Sequence, residues 1–407
     1  LPKKLEQILE LKEFKLNSLL EITKAINENY SIDNLIKIYE YILREQLGIS
    51  KAVLFSFHEK WECLLKYGAK GVVNKINIQE DLLHIKEITV IESSSSVILS
   101  EFDVVIPVYH KQTPLAYLLI GNLGKTEDFS PAVKHMSFIQ TLTNIIMVAI
   151  ENKHFAKQAI YQEIENKELE VARQMQAMLF PQELPSNNRV DVAARYVSKQ
   201  LVGGDYYDFI QLNHNEYVMC IADVSGKGVS AALLMSNFQA HLKANIKYNH
   251  EKLTIKQLML DLNEEVMKSA KGEKFITFFF AYYNVSKKLL KYVNAGHNYP
   301  VLTDGKTARL LNKGCIGLGM LEEIPHIEME EIEIAPNTTL VCYTDGLVEL
   351  ENKEGEAFEV ERLIDIIHNN YYLSMVELDE LIFQELDNFR KDTPYLDDTA
   401  LLSCRFL

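Results

Sequence analysis

Apolar residues recur at helical spacing over residues 1–30. Leu9, Leu16, Thr23 and Tyr30 fall seven apart, and Leu5, Lys12, Leu19 and Ile26 form a second row. Lys12 interrupts that row, so the stretch predicts an amphipathic helix or a weak coiled-coil seam. A second helix is predicted over "SIDNLIKIYEYILREQL". The pattern then changes to short apolar runs, "KAVLFSFH", "WECLLKYG", "FDVVIPVYH" and "PLAYLLIGN", which predict strands. "FSPAVKHMSFIQTLTNIIMVAIENK" restores the helical period, with Ser130 and Pro131 placed as cap and first-turn residue. Two helices, antiparallel strands and a closing helix predict an α+β domain over residues 1–150.

Residues 151–180 continue as one helix without Gly or Pro, and "PQELP" stops it, so 151–185 reads as a linker. Ile150, Lys157, Ile164, Val171 and Met178 are seven apart, whereas Lys153, Ile160, Lys167 and Gln174 are largely polar. The pattern fits a solvated connector or a marginal parallel coiled coil, able to change register. On the second reading the chain is a homodimer, and Met175, Met178 and Leu179 pack on the domain that follows.

Residues 186–407 mix strands and helices. Strands are predicted at "VDVAARYVS", "YYDFIQL", "YVMCIAD", "FITFFFAYYNV", "LLKYVNA", "IEMEEIEI", "TTLVCYTD" and "TALLSCRFL". Helices are predicted at "AALLMSNFQAHLKANI", "TIKQLMLDLNEEVMKSA", "VERLIDIIHNN" and "MVELDELIFQELDNF". Strands in consecutive pairs favour antiparallel sheets with helices packed outside.

Composition narrows the function. The chain of 407 residues is 47% hydrophobic and 24% charged, as soluble globular proteins are. Its 42 Lys and Arg against 57 Asp and Glu leave a net charge of −15, which argues against a nucleic-acid surface. Cys63, Cys220, Cys315, Cys342 and Cys404 show no CxxC spacing, so zinc and disulfide frameworks are not indicated. They read as thiols of a reducing, cytoplasmic compartment. The longest apolar runs are too short to span a bilayer, and no signal peptide is visible. The chain begins at Leu1, which points to a piece of a longer protein.

The candidate chemistry is carboxylate. Four acidic stations stand at or beside the ends of apolar runs: "GGDYYD" (Asp205, Asp208), "ADVSGKG" (Asp223), "YTDG" (Asp345) and "LDDTALL" (Asp397, Asp398). Taken singly, an Asp at a strand end is a turn former. Together they predict a cluster suited to Mg²⁺ or Mn²⁺, which take carboxylate oxygens. Gly203, Gly204, Gly226 and Gly346 beside them allow tight turns and leave room for water and substrate.

"LVGGDYYDF", "IADVSGKGVSAALLM", "YVNAGHNYPVL", "LVCYTDGLVE" and "DDTALL" occur in the order and spacing of the SpoIIE/RsbU-type branch of the PPM (type 2C) serine/threonine phosphatases. The region 186–407 resembles that family, and residues 1–150 resemble a GAF sensor domain. The resemblance implies an α/β sandwich of two antiparallel sheets with helices on both outer faces. It implies two Mn²⁺ or Mg²⁺ ions held by Asp205, Asp223, the backbone carbonyl of Val224, Asp345 and Asp397. Asp398 falls where relatives often have Asn and is expected to support the site, while Asp208 is expected on the strand surface or behind the site. Arg195 lies near the position of a phosphate-binding Arg in eukaryotic relatives, but its register does not assign it that role. "GCIGLGM" departs from the branch's Gly-x-Pro-x-Gly. His297 is read as a packed turn residue ahead of a general acid.

The reaction implied is hydrolysis of a phosphoserine or phosphothreonine by a metal-activated water. The implied substrate is a STAS-type anti-sigma factor antagonist, with an unnamed small-molecule or protein input to the GAF-like domain. Two alternatives stand beside it. One is a catalytically silent phosphatase-fold binding module. The other is a nucleotide cyclase, since "GGDYYDF" is similar to the GGDEF signature, although the other four motifs fit no cyclase. "DVSGKGVS" lacks the Gly-Lys-Ser/Thr of a P-loop.

Overall fold

A computed structural model of the chain describes residues 2–69, 71, 73–91, 99–122, 135–249 and 254–407. It divides into two compact units, Leu1–Glu163 and Ile164–Leu407, so the division falls inside the expected linker rather than at either end of it.

The first unit opens with α1 (Pro2–Asn27) and α2 (Ile32–Tyr41), the latter capped by the Ser31 side chain, which accepts from the Asn34 amide. β1 (Lys51–Phe57), β2 (Trp61–Tyr67), the single turn α3 (Ile78–Asp81), β3 (Thr89–Val90), β4 (Val104–His110) and β5 (Thr113–Gly121) follow. The strands form an antiparallel sheet in the order β2-β1-β5-β4-β3. Alternate residues serve two cores. Leu54, Ile106 and Leu118 pack with Tyr39 of α2 and Leu142 of the next helix, α4 (Met136–Ala177). Val53, Val105 and Leu119 face Leu82 and Phe102 on the other side. A sheet buried on both faces reads as continuous apolar runs, as "KAVLFSF" does. The expected cap at Ser130 and Pro131 lies outside the described residues.

In the second unit the chain runs through β6 (Val190–Val197), β7 (Tyr206–Asn213), β8 (Glu216–Val224), α5 (Val229–Asn249), α6 (Ile255–Ala270), β9 (Ile276–Asn284) and β10 (Leu289–Ala295). The short strands β11 (Val301–Thr303), β12 (Ala308–Leu310), β13 (Gly314–Cys315) and β14 (Glu330–Glu333) come next. β15 (Thr339–Tyr343), α7 (Asp345–Val348), α8 (Val360–Asn369), α9 (Met375–Arg390) and β16 (Thr399–Phe406) complete it. One sheet has the order β13-β10-β9-β8-β7, with β14 also on β10, and the other β12-β11-β15-β16-β6. All pairs are antiparallel except β10 with β13.

The sheets face each other. Tyr283 of β9 and Phe406 of β16 meet with ring centroids 4.4 Å apart. On the outer face of the first sheet Phe278 of β9 packs edge-on against Phe238 of α5 at 5.0 Å. On the other sheet Val341, Tyr343 and Leu401 turn outward onto Leu378 and Phe383 of α9, while Leu340, Cys342 and Leu402 point into the shared core. This period-two division places helices on both outer faces. Among the described residues no helix is long and apolar enough to cross a membrane.

Two expectations change. "IEMEEIEI" forms only the four-residue β14, whose side chains alternate between half-buried and exposed. Met175 and Met178 do not pack on the domain: they are 66% and 74% exposed, and Gln176 and Phe180 are buried in their place.

Candidate active site

β8 carries Asp223 to the end of its sheet, beside Thr277 of β9. Tyr206 pairs with Ala222, so Asp205, just before β7, is brought next to Asp223, and the two carboxyls lie within hydrogen-bonding reach. The turn after Asp223 is clamped from both sides. The Ser225 amide donates to the Phe275 carbonyl at 2.9 Å, the Phe275 amide to Ser225 Oγ at 2.9 Å, and Lys274 Nζ to the Ser225 carbonyl at 2.9 Å. Gly226 and Gly228 take φ of +88° and +74°, which L side chains rarely adopt, and α5 begins at Val229.

The second sheet supplies the other two carboxylates. β15 stops at Tyr343, and Thr344 caps α7, so Asp345 is the first residue of a helical turn rather than the last of a strand. Asp397 and Asp398 immediately precede β16. The two segments touch: a Cβ on Gly346 would come within 2.0 Å of the Asp398 carbonyl oxygen. Thr344 Oγ1 donates to Asp205 Oδ2 at 2.7 Å and accepts from the Ala400 amide at 2.8 Å, tying both sheets to the first carboxylate.

Burial, and next the charge of Asp223, hold Asp205 well above the usual carboxylate range. Burial, then Asp345, raise Asp223 to about 6, with Asp397 and Asp398 adding to the effect. Burial followed by Asp397 also raises Asp345. Asp205, Asp223 and Asp345, from separate stretches of chain, thus share one electrostatic environment that disfavours their charge, and the Asp397 carboxylate contributes to it. Among the described residues, no three His, Cys, Asp or Glu side chains are packed closely enough to form a ready chelate. Mutually repelling, largely buried carboxylates are nonetheless the donor set that a hard divalent cation relieves, so the residue types fit such ions.

The surrounding residues divide sharply. Val224 is buried, and a Cβ on Gly204 would stand 3.0 Å from its carbonyl oxygen. Asp398 accepts from Ser198 Oγ (3.0 Å), the Lys199 amide (2.9 Å) and the Gly204 amide (2.8 Å), which fixes the loop leading to Asp205. Gln176 spans Gly203, accepting from its amide at 3.1 Å and donating to its carbonyl at 2.7 Å. Asp208 is not on the strand surface. It is buried, accepts from the Tyr206 hydroxyl at 2.5 Å and pairs with Lys243 of α5 at 3.0 Å.

Arg195 stacks on Phe383 of α9, 4.5 Å from its centroid, and serves the outer layer. His297 is buried, with Nδ1 2.9 Å from Thr277 Oγ1, and burial lowers its pKa to about 4, which makes it a neutral packed residue. Its ring forms part of the wall of a cavity of about 660 Å³ shared with Tyr299, Tyr343, Glu349 and Val360.

Sequence reasoning missed Thr344 and Lys227. Lys227 Nζ pairs with Asp397 Oδ2 at 2.6 Å. Its signal was a cation placed between the two glycines of "SGKG".

Two facing antiparallel sheets, with aspartates gathered where the strands end, give the fold of PP2C-type phosphatase domains. The SiaA-PP2C domain of Pseudomonas aeruginosa shares the fold, with a TM-score of 0.54 at 20% identity over 61% of this chain and 99% of that one. More narrowly, residues 213–407 match the family Stage II sporulation protein E (SpoIIE), and the homologous RsbU and RsbP phosphoserine phosphatases support a protein serine/threonine phosphatase. Phosphoserine phosphatase RsbU of Bacillus subtilis is 29% identical over 255 residues, 58% of this chain and 72% of the relative. Phosphoserine phosphatase RsbP of the same organism is 25% identical over 186 residues, 45% of each chain. The chain spans less than half the length of RsbP and of Protein IcfG from Synechocystis, which is 27% identical over 282 residues.

Proposed function

We propose that the second unit hydrolyses phosphoserine or phosphothreonine on a partner protein, a STAS-type anti-sigma factor antagonist, using two Mn²⁺ or Mg²⁺ ions held by Asp205, Asp223, the Val224 carbonyl, Asp345 and Asp397. The observation that carries this reading is the gathering of Asp205, Asp223 and Asp345 from the ends of both sheets, with Thr344 beside Asp345 bonded to Asp205, so that the charge of Asp223 raises the pKa of Asp205 and the charge of Asp345 that of Asp223. Divalent ions bound there supply charge neutralisation for a phosphoryl group and acidify a water at neutral pH. The chain supplies the geometry. The β7–β8 ladder fixes Asp205 against Asp223, and Thr344 orients Asp205. Asp398 holds Gly204, and with it the backbone around the Val224 carbonyl. His297, neutral and buried, contributes packing rather than a proton.

The reading extends to control. Residues 1–150 act as a GAF-like sensor, and α4 pairs with its copy in a homodimer. Tyr161, Ile164, Val171 and Met175 of α4, and Met178 just past its end, support this: they are spaced by threes, fours and sevens, and each is 49% exposed or more.

The test is phosphate release from phosphorylated STAS-type proteins with and without Mn²⁺. Activity should require the metal, vanish with EDTA and return on adding Mn²⁺, and thiol-blocking reagents should leave the chemistry intact. Full activity after exhaustive metal removal overturns the metal assignment. Failure to release phosphate with Mn²⁺ present favours a silent binding module, and cyclic product from GTP favours a cyclase.

A further inference from the structure

Among the described residues, Lys227 is the only cation paired with any of Asp205, Asp223, Asp345 and Asp397. Its ammonium lies 2.6 Å from Asp397 Oδ2 and donates to the Leu396 carbonyl at 3.2 Å. Lys199, from the segment after β6, donates to the same carbonyl at 2.5 Å. Two like charges from separate segments are therefore brought to one oxygen, an arrangement that costs Coulomb energy unless anions offset it.

Asp397 offsets one of them. Both lysines are exposed residues, and the Lys227 side chain is 42% exposed. The turn bearing Lys227 is braced through Ser225 by Phe275 and Lys274, so the residue is presented from a fixed base. Arg195 is committed to Phe383 and does not compete for this role.

We infer that Lys227 is a transferable counter-ion: it neutralises Asp397 in the cation-free protein and, once a divalent cation takes that carboxylate, joins Lys199 in anchoring the phosphoryl dianion of the substrate. The inference rests on the metal-site reading above. Asp397 cannot give the same oxygen to an ammonium and to a divalent ion at full strength, so the two cations compete. A freed ammonium beside a second one forms a site for a dianion of a phosphate's size, which a lone surface lysine does not.

The test is calorimetric titration of the whole chain, first with Mn²⁺ alone and then with inorganic phosphate at saturating Mn²⁺. Lys227→Gln should bind Mn²⁺ about 3-fold to 5-fold more tightly, the scale of a lost partly exposed ion pair. It should bind phosphate about 10-fold more weakly, the scale of a lost charged hydrogen bond. Lys199→Gln should weaken phosphate without changing Mn²⁺ affinity, because the Lys199 ammonium is bonded to a carbonyl, and its contact with the Asp398 carboxylate is through the backbone amide, which the substitution keeps. Lys227→Arg keeps the charge and should stay near wild type in both titrations, which separates lost charge from a damaged turn. Unchanged Mn²⁺ affinity or unchanged phosphate affinity in Lys227→Gln overturns the inference while leaving the metal reading in place. A wild-type protein that binds no Mn²⁺ overturns both.

Discussion

Two groups of carboxylates in the second unit, at the strand ends and on α9, behave differently. At the strand ends Asp205, Asp223, Asp345 and Asp397 have one another as neighbours. On the buried face of α9, Asp379 has other neighbours: Ser403 Oγ donates to its Oδ1 at 2.6 Å, Arg195 is the nearby cation, the charge of Asp191 acts weakly on it, and Oδ2 has no hydrogen-bond partner among the described residues. Burial raises the pKa in both places, Asp379 to about 7 and Asp223 to about 6. The second contribution separates them. Another carboxylate pushes Asp223 further up, whereas the Ser403 hydroxyl pulls Asp379 back down. A lone buried acid can be relieved by taking up a proton. A group of acids that includes the 36%-exposed Asp397 can also be relieved by a cation, which is what makes one place a candidate for chemistry and the other a matter of stability.

The largest expected contrast is in rate. Asp223→Asn should lower phosphate release at saturating Mn²⁺ by roughly three orders of magnitude or more, the scale of a lost group in a metal-assisted site. Its melting temperature should hold or rise because repulsion is relieved. Asp379→Asn should leave the rate within about 3-fold. Equal losses in the two variants would erase the distinction.

The next contrast is in stability against pH. The folded-state pKa of Asp379 is about 7 against an ordinary 3.8, so between those values the unfolded chain releases a proton that the folded chain keeps. Stability therefore falls as pH rises through that window and is level on either side. Asp379→Asn removes the fall, so urea unfolding should find the variant favoured over wild type at pH 8 by a few kcal/mol more than at pH 4. No change in the gap between the two pH values would mean that Asp379 is ionised without cost.

The smallest effect refines the same point. Ser403→Ala removes the bond that lowers the Asp379 pKa. The window should then extend to higher pH by about one unit or less, read from unfolding midpoints at half-unit steps. A shift to lower pH would show that the hydroxyl serves the protonated acid instead.

The strand ends were legible in the sequence because alternation and apolar runs fix strands locally. "YVMCIAD" lies within β8 and "LLKYVNA" coincides with β10. The placement of the four candidate aspartates was legible for the same reason, since each closes or adjoins such a run. Asp345 was misplaced because Thr344, a cap residue, was read as the continuation of β15. Asp208 was misplaced although the rule was at hand: three residues from Asp205, it must face the opposite side of β7, toward α5. Met175 and Met178 drew attention as apolar residues, yet Gln176 makes the buried contact, through an amide whose use depends on a backbone 27 residues away. Lys227 and Thr344 matter through partners remote in sequence, and no local pattern reports that.

The grip of Gln176 on Gly203 bears on where the folding unit begins. Gly203 has its amide and carbonyl turned to one side chain in a buried setting. Without that side chain, each orphaned group would cost about 1–3 kcal/mol. Phe180, stacked on Tyr196 at 5.1 Å and packed on Tyr207 at 4.9 Å, would leave a gap as well. The end of α4 and the turn after it therefore belong to the interior of the second unit, and a fragment trimmed to residue 186 would be missing part of its own core.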